Sequence, residues 1–206
     1  MQYHIILGGS FDPIHHAHLQ MAMAAYEQLS ARQLPVTVTL LPTAGNPFKG
    51  APTPAAHRLI MMRLAAAGLP VIIDEREIHA PPPVFTIDTV QALRDECADD
   101  VLIYLIGQDS LNSLPRWKGG DVLPDLVKFW AFDRVGEVQQ VDDDIKVRLT
   151  DDLDRFLSCD GLIYQDSTPI AQMSSSQIRT LIRDGGDVTA YLHPAVIEYI
   201  GTHQLY

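Results

Sequence analysis

Short apolar runs recur along the chain at residues 3–7, 36–41, 71–74, 101–106, 127–132 and 162–164, with helical patterns between most of them. Alternation of this kind implies a parallel sheet with helices on both faces. The expected fold class is therefore α/β, a doubly wound parallel sheet with C-terminal helices. Such sheets bind ligands beyond the carboxyl ends of their strands, near the point where strand order reverses. Gly8-Gly9, the loop 42–54 and Gly107-Gln108-Asp109 are thus expected on one rim. A length of 206 residues without an internal repeat reads as one domain, 1–206, with room for a substantial core.

Local signals agree with this map. Leu19, Ala22, Met23, Tyr26 and Leu29 share one face of a helix after the first strand. Thr53-Pro54 reads as a cap followed by proline at the first helical position, and Gly68 closes that helix. Thr86 is expected to cap a helix running through Cys97. His193-Pro194 opens a last helix with Ile197 and Ile200 facing the core. Residues 133–154 carry the weakest pattern and two acidic clusters, which reads as a solvated connection without assigned function.

Charge and cysteine usage narrow the classes. A formal net charge of −11 argues against a surface built for a nucleic-acid backbone, while a local phosphate site needs only a few donors. Cys97 and Cys159 fit no paired ligand spacing, so they read as two reduced thiols, and no protein-held metal is expected. No run approaches the roughly 18 apolar residues of a membrane span. The start, Met-Gln-Tyr-His, lacks a basic signal-peptide head, and the cytoplasm is the expected compartment.

Two segments carry chemistry. In Gly8-Gly9-Ser10-Phe11-Asp12-Pro13-Ile14-His15-His16-Ala17-His18, glycines at a strand's end let the backbone approach a ligand. The N–H groups of a helix start and the imidazoles of His15 and His18, spaced i, i+3, face the same spot, which makes a phosphate site. Zinc would need a further placed ligand, and His16 points elsewhere on a helix. In Met173-Ser174-Ser175-Ser176-Gln177-Ile178-Arg179, the spacing Ser174-x-x-Gln177 is a capping box, which a structural helix start explains by itself. Arg179 adds a guanidinium able to reach an anion held by the N–H groups of Ser175 and Ser176.

The first segment resembles the nucleotidyltransferase signature G-G-[ST]-F-D-P-x-H-x-G-H, with Ala17 for Gly. The second resembles the same superfamily's I-S-[SA]-[ST]-x-I-R, with Met173 for Ile. The resemblance implies a Rossmann-like nucleotidyltransferase fold in which the two motifs clamp a triphosphate. Three further stretches are similar to bacterial nicotinate-mononucleotide adenylyltransferases. They are Asn46-Pro47-Phe48-Lys49, Pro83-Val84-Phe85-Thr86-Ile87-Asp88-Thr89-Val90, and Ile106-Gly107-Gln108-Asp109-Ser110-Leu111 with Pro115-Arg116-Trp117. Residues 193–206 track that family's ending.

That likeness implies transfer of AMP from ATP to nicotinate mononucleotide, with Mg²⁺ carried by the nucleotide and a homo-oligomer allowed. It implies ATP contacts from Gly8, Gly9, Ser10, Phe11, His18, Gly107, Asp109, Ser175, Ser176 and Arg179. His15, His18 and Arg179 are the implied catalytic residues, and Lys49, Thr86, Trp117 and Arg134 the implied acceptor contacts. The residues alone leave room for blander roles: Trp117 as a core tryptophan, Thr86 as a cap, Asp109 as the cap of a helix over 110–114. The rival functions are another nucleotidyltransferase, of the pantetheine-phosphate adenylyltransferase type, and a non-catalytic nucleotide-binding protein.

Overall fold

The computed structural model describes residues 1–44, 52–133 and 141–206. Its seven strands are β1 (Tyr3–Gly9), β2 (Val36–Pro42), β3 (Val71–Ile73), β4 (Val101–Gly107), β5 (Lys128–Phe132), β6 (Leu149–Thr150) and β7 (Ile163–Asp166). They form one parallel sheet in the order β3-β2-β1-β4-β5-β7-β6. The chain leaves β1 toward β2 and β3, then returns to place β4 on the other side of β1. The order therefore reverses between β1 and β4, so the crevice opens beside Gly8-Gly9 and Gly107.

Ten α-helices connect or follow the strands among the described residues: α1 (His16–Ser30), α2 (Ala55–Ala65), α3 (Arg76–His79), α4 (Thr86–Glu96), α5 (Gln108–Ser113), α6 (Leu123–Leu126), α7 (Asp143–Lys146), α8 (Leu153–Ser158), α9 (Ser175–Arg183) and α10 (Pro194–His203). None of them is long and apolar enough to cross a membrane. Side chains alternate across each strand, which splits the core in two. Ile5, Leu7, Ile103, Leu105, Trp130 and Phe132 pack with α1, α2, α9 and α10 on one face. Ile6, Leu102, Tyr104, Ile106, Phe129 and Ala131 pack with α4, α5 and α6 on the other.

Several local expectations shift by a residue or two. On α1 the deeply buried positions are Ala17, Met21, Ala22, Ala25 and Leu29, whereas Leu19, Met23 and Tyr26 are half-buried flanks. The small alanines let the helix lie close on β1 and β2. Helix α2 begins at Ala55, because Thr53 spends its N–H on Asp12 and its carbonyl on the Arg58 guanidinium. Thr86 is the first residue of α4, with Phe85 in the capping position. Asp109 lies inside α5, whose capping position is Gly107. The connection after β5 holds α7 and the two-residue β6, too short to leave a period in the sequence.

Candidate active site

The site begins where β1 runs out. A Cβ on Gly8 would lie 1.8 Å from the Tyr104 hydroxyl oxygen, so glycine is imposed here by packing within the protein. Across the switch point, a Cβ on Gly107 would meet nothing within 4 Å. Phe11 adopts φ 47° and sends its ring into the core at 1% exposure, edge-on to His18 at 5.0 Å. It props the histidine from behind, and its ring does not line the cleft.

His15 and His18 stack with ring centroids 3.7 Å apart. The His15 backbone N–H donates to His18 Nδ1 at 3.3 Å. An accepting Nδ1 places the ring's proton on Nε2, which makes that atom a hydrogen-bond donor. His16 is turned away, its N–H bonded to the Tyr191 carbonyl and its ring to that of Ala190, as the helical spacing predicts.

The start of α9 closes on this segment. Ser174 and Gln177 form the expected capping box: Ser174 Oγ accepts from the Gln177 N–H, and Gln177 Oε1 accepts from the Ser174 N–H at 2.9 Å. Ser175 Oγ donates to the Pro13 carbonyl at 3.0 Å. Arg179 donates through Nη1 to the Asp12 carbonyl at 2.6 Å and through Nη2 to Ser176 Oγ at 3.2 Å. The two motifs are thus joined directly by one guanidinium.

Behind them stands a buried network that the sequence reading missed. Asp12, 5% exposed, accepts from the Tyr206 hydroxyl at 2.7 Å and the Thr53 N–H at 3.2 Å, with Arg179 Nη1 at 3.8 Å. Arg58, 1% exposed, donates to the carbonyls of Ser10 at 2.6 Å and Thr53 at 2.8 Å. Burial lowers the Arg58 pKa, against the pull of Asp12. Burial, then the bond to Asp12, pushes the Tyr206 hydroxyl well above its ordinary value. One signal was available: Arg58 falls among the apolar positions that α2 buries.

The opposite wall gathers around Glu77, which is buried and accepts from Thr89 Oγ1 at 2.7 Å. Burial pushes its carboxyl upward, partly offset by the hydroxyls of Thr89 and Thr43. Tyr104, fully enclosed and hydrogen-bonded to Thr86, is likewise raised by burial. Trp117 is half-buried, donates Nε1–H to Ser113 Oγ at 3.2 Å and packs edge-on to Phe129.

These walls enclose a cleft of about 1260 Å³. Gly8, Gly9, Ser10, His15, His18, Thr86, Gly107, Asp109, Trp117, Ser175, Ser176 and Arg179 all line it, with Ala17 beside the histidines. Lys49 and Arg134 lie outside the described residues. Hydrogen-bond donors concentrate between His18 and α9, and an aromatic face with a helix start stands at the Thr86–Trp117 end. Such a cleft suits a ligand with phosphates at one end and a flat ring at the other.

Comparison with known proteins bears on this arrangement. Residues 6–181 match the family described as cytidylyltransferase-like. A protein of Pseudoalteromonas atlantica, described as a probable nicotinate-nucleotide adenylyltransferase, is 34% identical over 98% of this chain and 93% of its own length. One of Sodalis glossinidius with the same description is 37% identical over 97% and 94%. Among solved structures, the Plasmodium falciparum nicotinic acid mononucleotide adenylyltransferase complexed with NaAD superposes with a TM-score of 0.75. At 20% identity, covering 100% of this chain and 98% of that one, it establishes a shared fold.

Proposed function

The chain belongs to the cytidylyltransferase-like family, among the nicotinate-nucleotide adenylyltransferases, and from that premise we infer that it transfers AMP from ATP to nicotinate mononucleotide. The products are nicotinate adenine dinucleotide, an intermediate of NAD biosynthesis, and pyrophosphate. The observation that carries this reading to the residues is the Arg179 bridge, which sets the donors of α9 opposite His15 and His18.

The acceptor's own phosphate is the nucleophile. With a second pKa near 6 it is mostly dianionic at neutral pH, so the protein needs to supply neither a base nor a covalent intermediate. The side chains act by positioning and by stabilising charge. His18 Nε2–H meets the α-phosphate, where charge develops, and His15 meets adjacent oxygens. Ser175, Ser176 and Arg179 hold the β- and γ-phosphates and the departing pyrophosphate. Gly8, Gly9, Ser10 and the backbone of Phe11 shape the phosphate floor, while Gly107 and Asp109 take the nucleoside. Thr86 and Trp117 receive the nicotinate ring, Lys49 contacts the phosphates, and Arg134 assists on the acceptor side.

Asp12 is committed to Tyr206 and Thr53, so the phosphate end presents donors rather than spare carboxylates. That suits a Mg²⁺ ion arriving on the triphosphate, where it neutralises charge. The test is pyrophosphate release from ATP with a panel of acceptors. Turnover is expected with nicotinate mononucleotide, and a preference for pantetheine phosphate would overturn the assignment.

A further inference from the structure

Away from the cleft, at the amino ends of β1 and β4, three side chains of different chemistry converge. His4 on β1, Cys97 at the end of α4 and Asp100 just before β4 bring an imidazole nitrogen, a thiol sulfur and a carboxylate oxygen within 4.8 Å of one another. His4 Nε2 stands 3.0 Å from Asp100 Oδ2. All three residues are half-buried, walled by protein yet reachable from solvent.

The atoms facing away from this point are already engaged. Thr37 Oγ1 lies 2.9 Å from His4 Nδ1 and fixes the ring. The Gln2 N–H donates to Asp100 Oδ1 at 2.7 Å and fixes the carboxylate. Nε2 and Oδ2 are thereby turned toward each other and toward the sulfur. Outer partners that orient inner ligand atoms in this way are the usual arrangement around a bound metal. A plain histidine–aspartate ion pair explains two of the three groups, and Cys97, which packs at the edge of the core, brings the third to the same point. At tetrahedral angles, nitrogen and oxygen ligands about 2.0–2.2 Å from one ion stand roughly 3.3–3.6 Å apart, so the 3.0 Å between His4 Nε2 and Asp100 Oδ2 opens by a few tenths of an ångström to admit one.

We propose that His4, Cys97 and Asp100 form a binding site for a thiophilic divalent cation of the zinc class, with water in the fourth position. The ion ties the start of β1, the end of α4 and the start of β4 together. Because the three ligands meet only in the folded chain, its binding adds to stability. His4 stands about five strand residues, roughly 16 Å, from the Gly9 end of β1, so the ion is structural and separate from adenylyl transfer.

The test is titration of reduced, nucleotide-free protein with Co²⁺ alone, followed by displacement with Zn²⁺. A thiolate-to-cobalt charge-transfer band saturating at one equivalent is expected, and Zn²⁺ should erase it while raising the melting temperature. Cys97→Ser should lose the band and the Zn²⁺-dependent rise, yet keep wild-type adenylyl transfer in excess Mg²⁺. Cys159→Ser, at the other cysteine, should keep both. Thr37→Val should weaken Zn²⁺ binding about tenfold or more. Absence of the band in wild-type protein, or its survival in Cys97→Ser, would overturn the site without touching the adenylyltransferase assignment.

Discussion

His18 combines a fixed tautomer with a fixed place. Its Nδ1 accepts from the His15 N–H and its ring rests against Phe11, so Nε2 carries the ring proton. His18→Ala should fold normally and lose on the order of 10²-fold or more in turnover, the scale of removing one transition-state donor. Near-normal steady-state rates would remove it from the mechanism. Arg179→Ala should raise the ATP requirement and slow turnover, and Arg179→Lys should restore only part, because a point charge cannot bond Asp12 and Ser176 as a fork does. Superimposable ATP titrations would reduce the residue to a structural link. Gly8→Ala drives a methyl group into Tyr104 and should cost about 1–3 kcal/mol in denaturant unfolding. Adding Tyr104→Phe should relieve it only partly, since the ring carbon Cζ is also 2.8 Å from that point. The histidines and Arg179 were legible because their chemistry shows at short sequence spacing. Tyr104, Arg58 and Tyr206 were not, because each acts through a partner distant in sequence. The sequence reading accounts for Gly8 by ligand approach, and the structure adds a constraint from within the protein, the Tyr104 ring.

Among the elements, α4 carries the sharpest consequence. Its first residue, Thr86, lines the cleft together with Trp117, and the N–H groups of a helix start call for acceptors. A nicotinate carboxylate supplies two oxygens, whereas a neutral amide supplies one and turns an NH₂ toward the same donors. The difference should favour nicotinate mononucleotide by roughly 2–4 kcal/mol, or about 30- to 1,000-fold in kcat/KM. Equal values for the two mononucleotides would sink the placement of the ring. Behind the helix start, Glu77 ties α3 to Thr43 after β2 and to Thr89 within α4. Its carboxyl is raised from the usual 4.5, chiefly by burial, so the folded chain holds a proton that the unfolded chain releases. Its contribution to stability is complete below pH 4.5 and declines as pH rises from there toward the raised value. Glu77→Gln should remove that decline, and its stability relative to wild type should increase between pH 4.5 and 7 in parallel denaturant titrations. A constant difference would show that Glu77 titrates normally. Six of the seven strands were legible because apolar runs of three to six residues stand out between helical patterns, and β6 was not because two residues leave no such run. The starts of α2 and α4 moved by one residue where side-chain partners, rather than capping preference, set the boundary.

At the scale of the molecule, a parallel sheet with helices on both faces was readable from alternation, and with it the rim on which the cleft opens, whereas the strand order was not. What alternation could not show is how the far end of the chain is fastened to the near one. The Tyr206 hydroxyl reaches Asp12 across 194 positions, and Tyr206→Phe should cost about 1 kcal/mol in unfolding and raise the KM for ATP, as Asp12 loses a donor. An unchanged KM would confine that bond to stability. The link from Arg179 to the Asp12 carbonyl spans 167 positions, so it forms only once the chain through α9 is present. Before α9 docks, a chain already folded through β5 holds only one jaw of the phosphate clamp. On the proposed placement ATP grips such a half-made molecule less tightly, and its stabilising effect, RT ln(1 + [L]/Kd), falls chiefly on the finished one. Nucleotide binding so placed favours chains whose two ends have met, and ATP should raise the melting temperature of wild type more than that of Arg179→Ala.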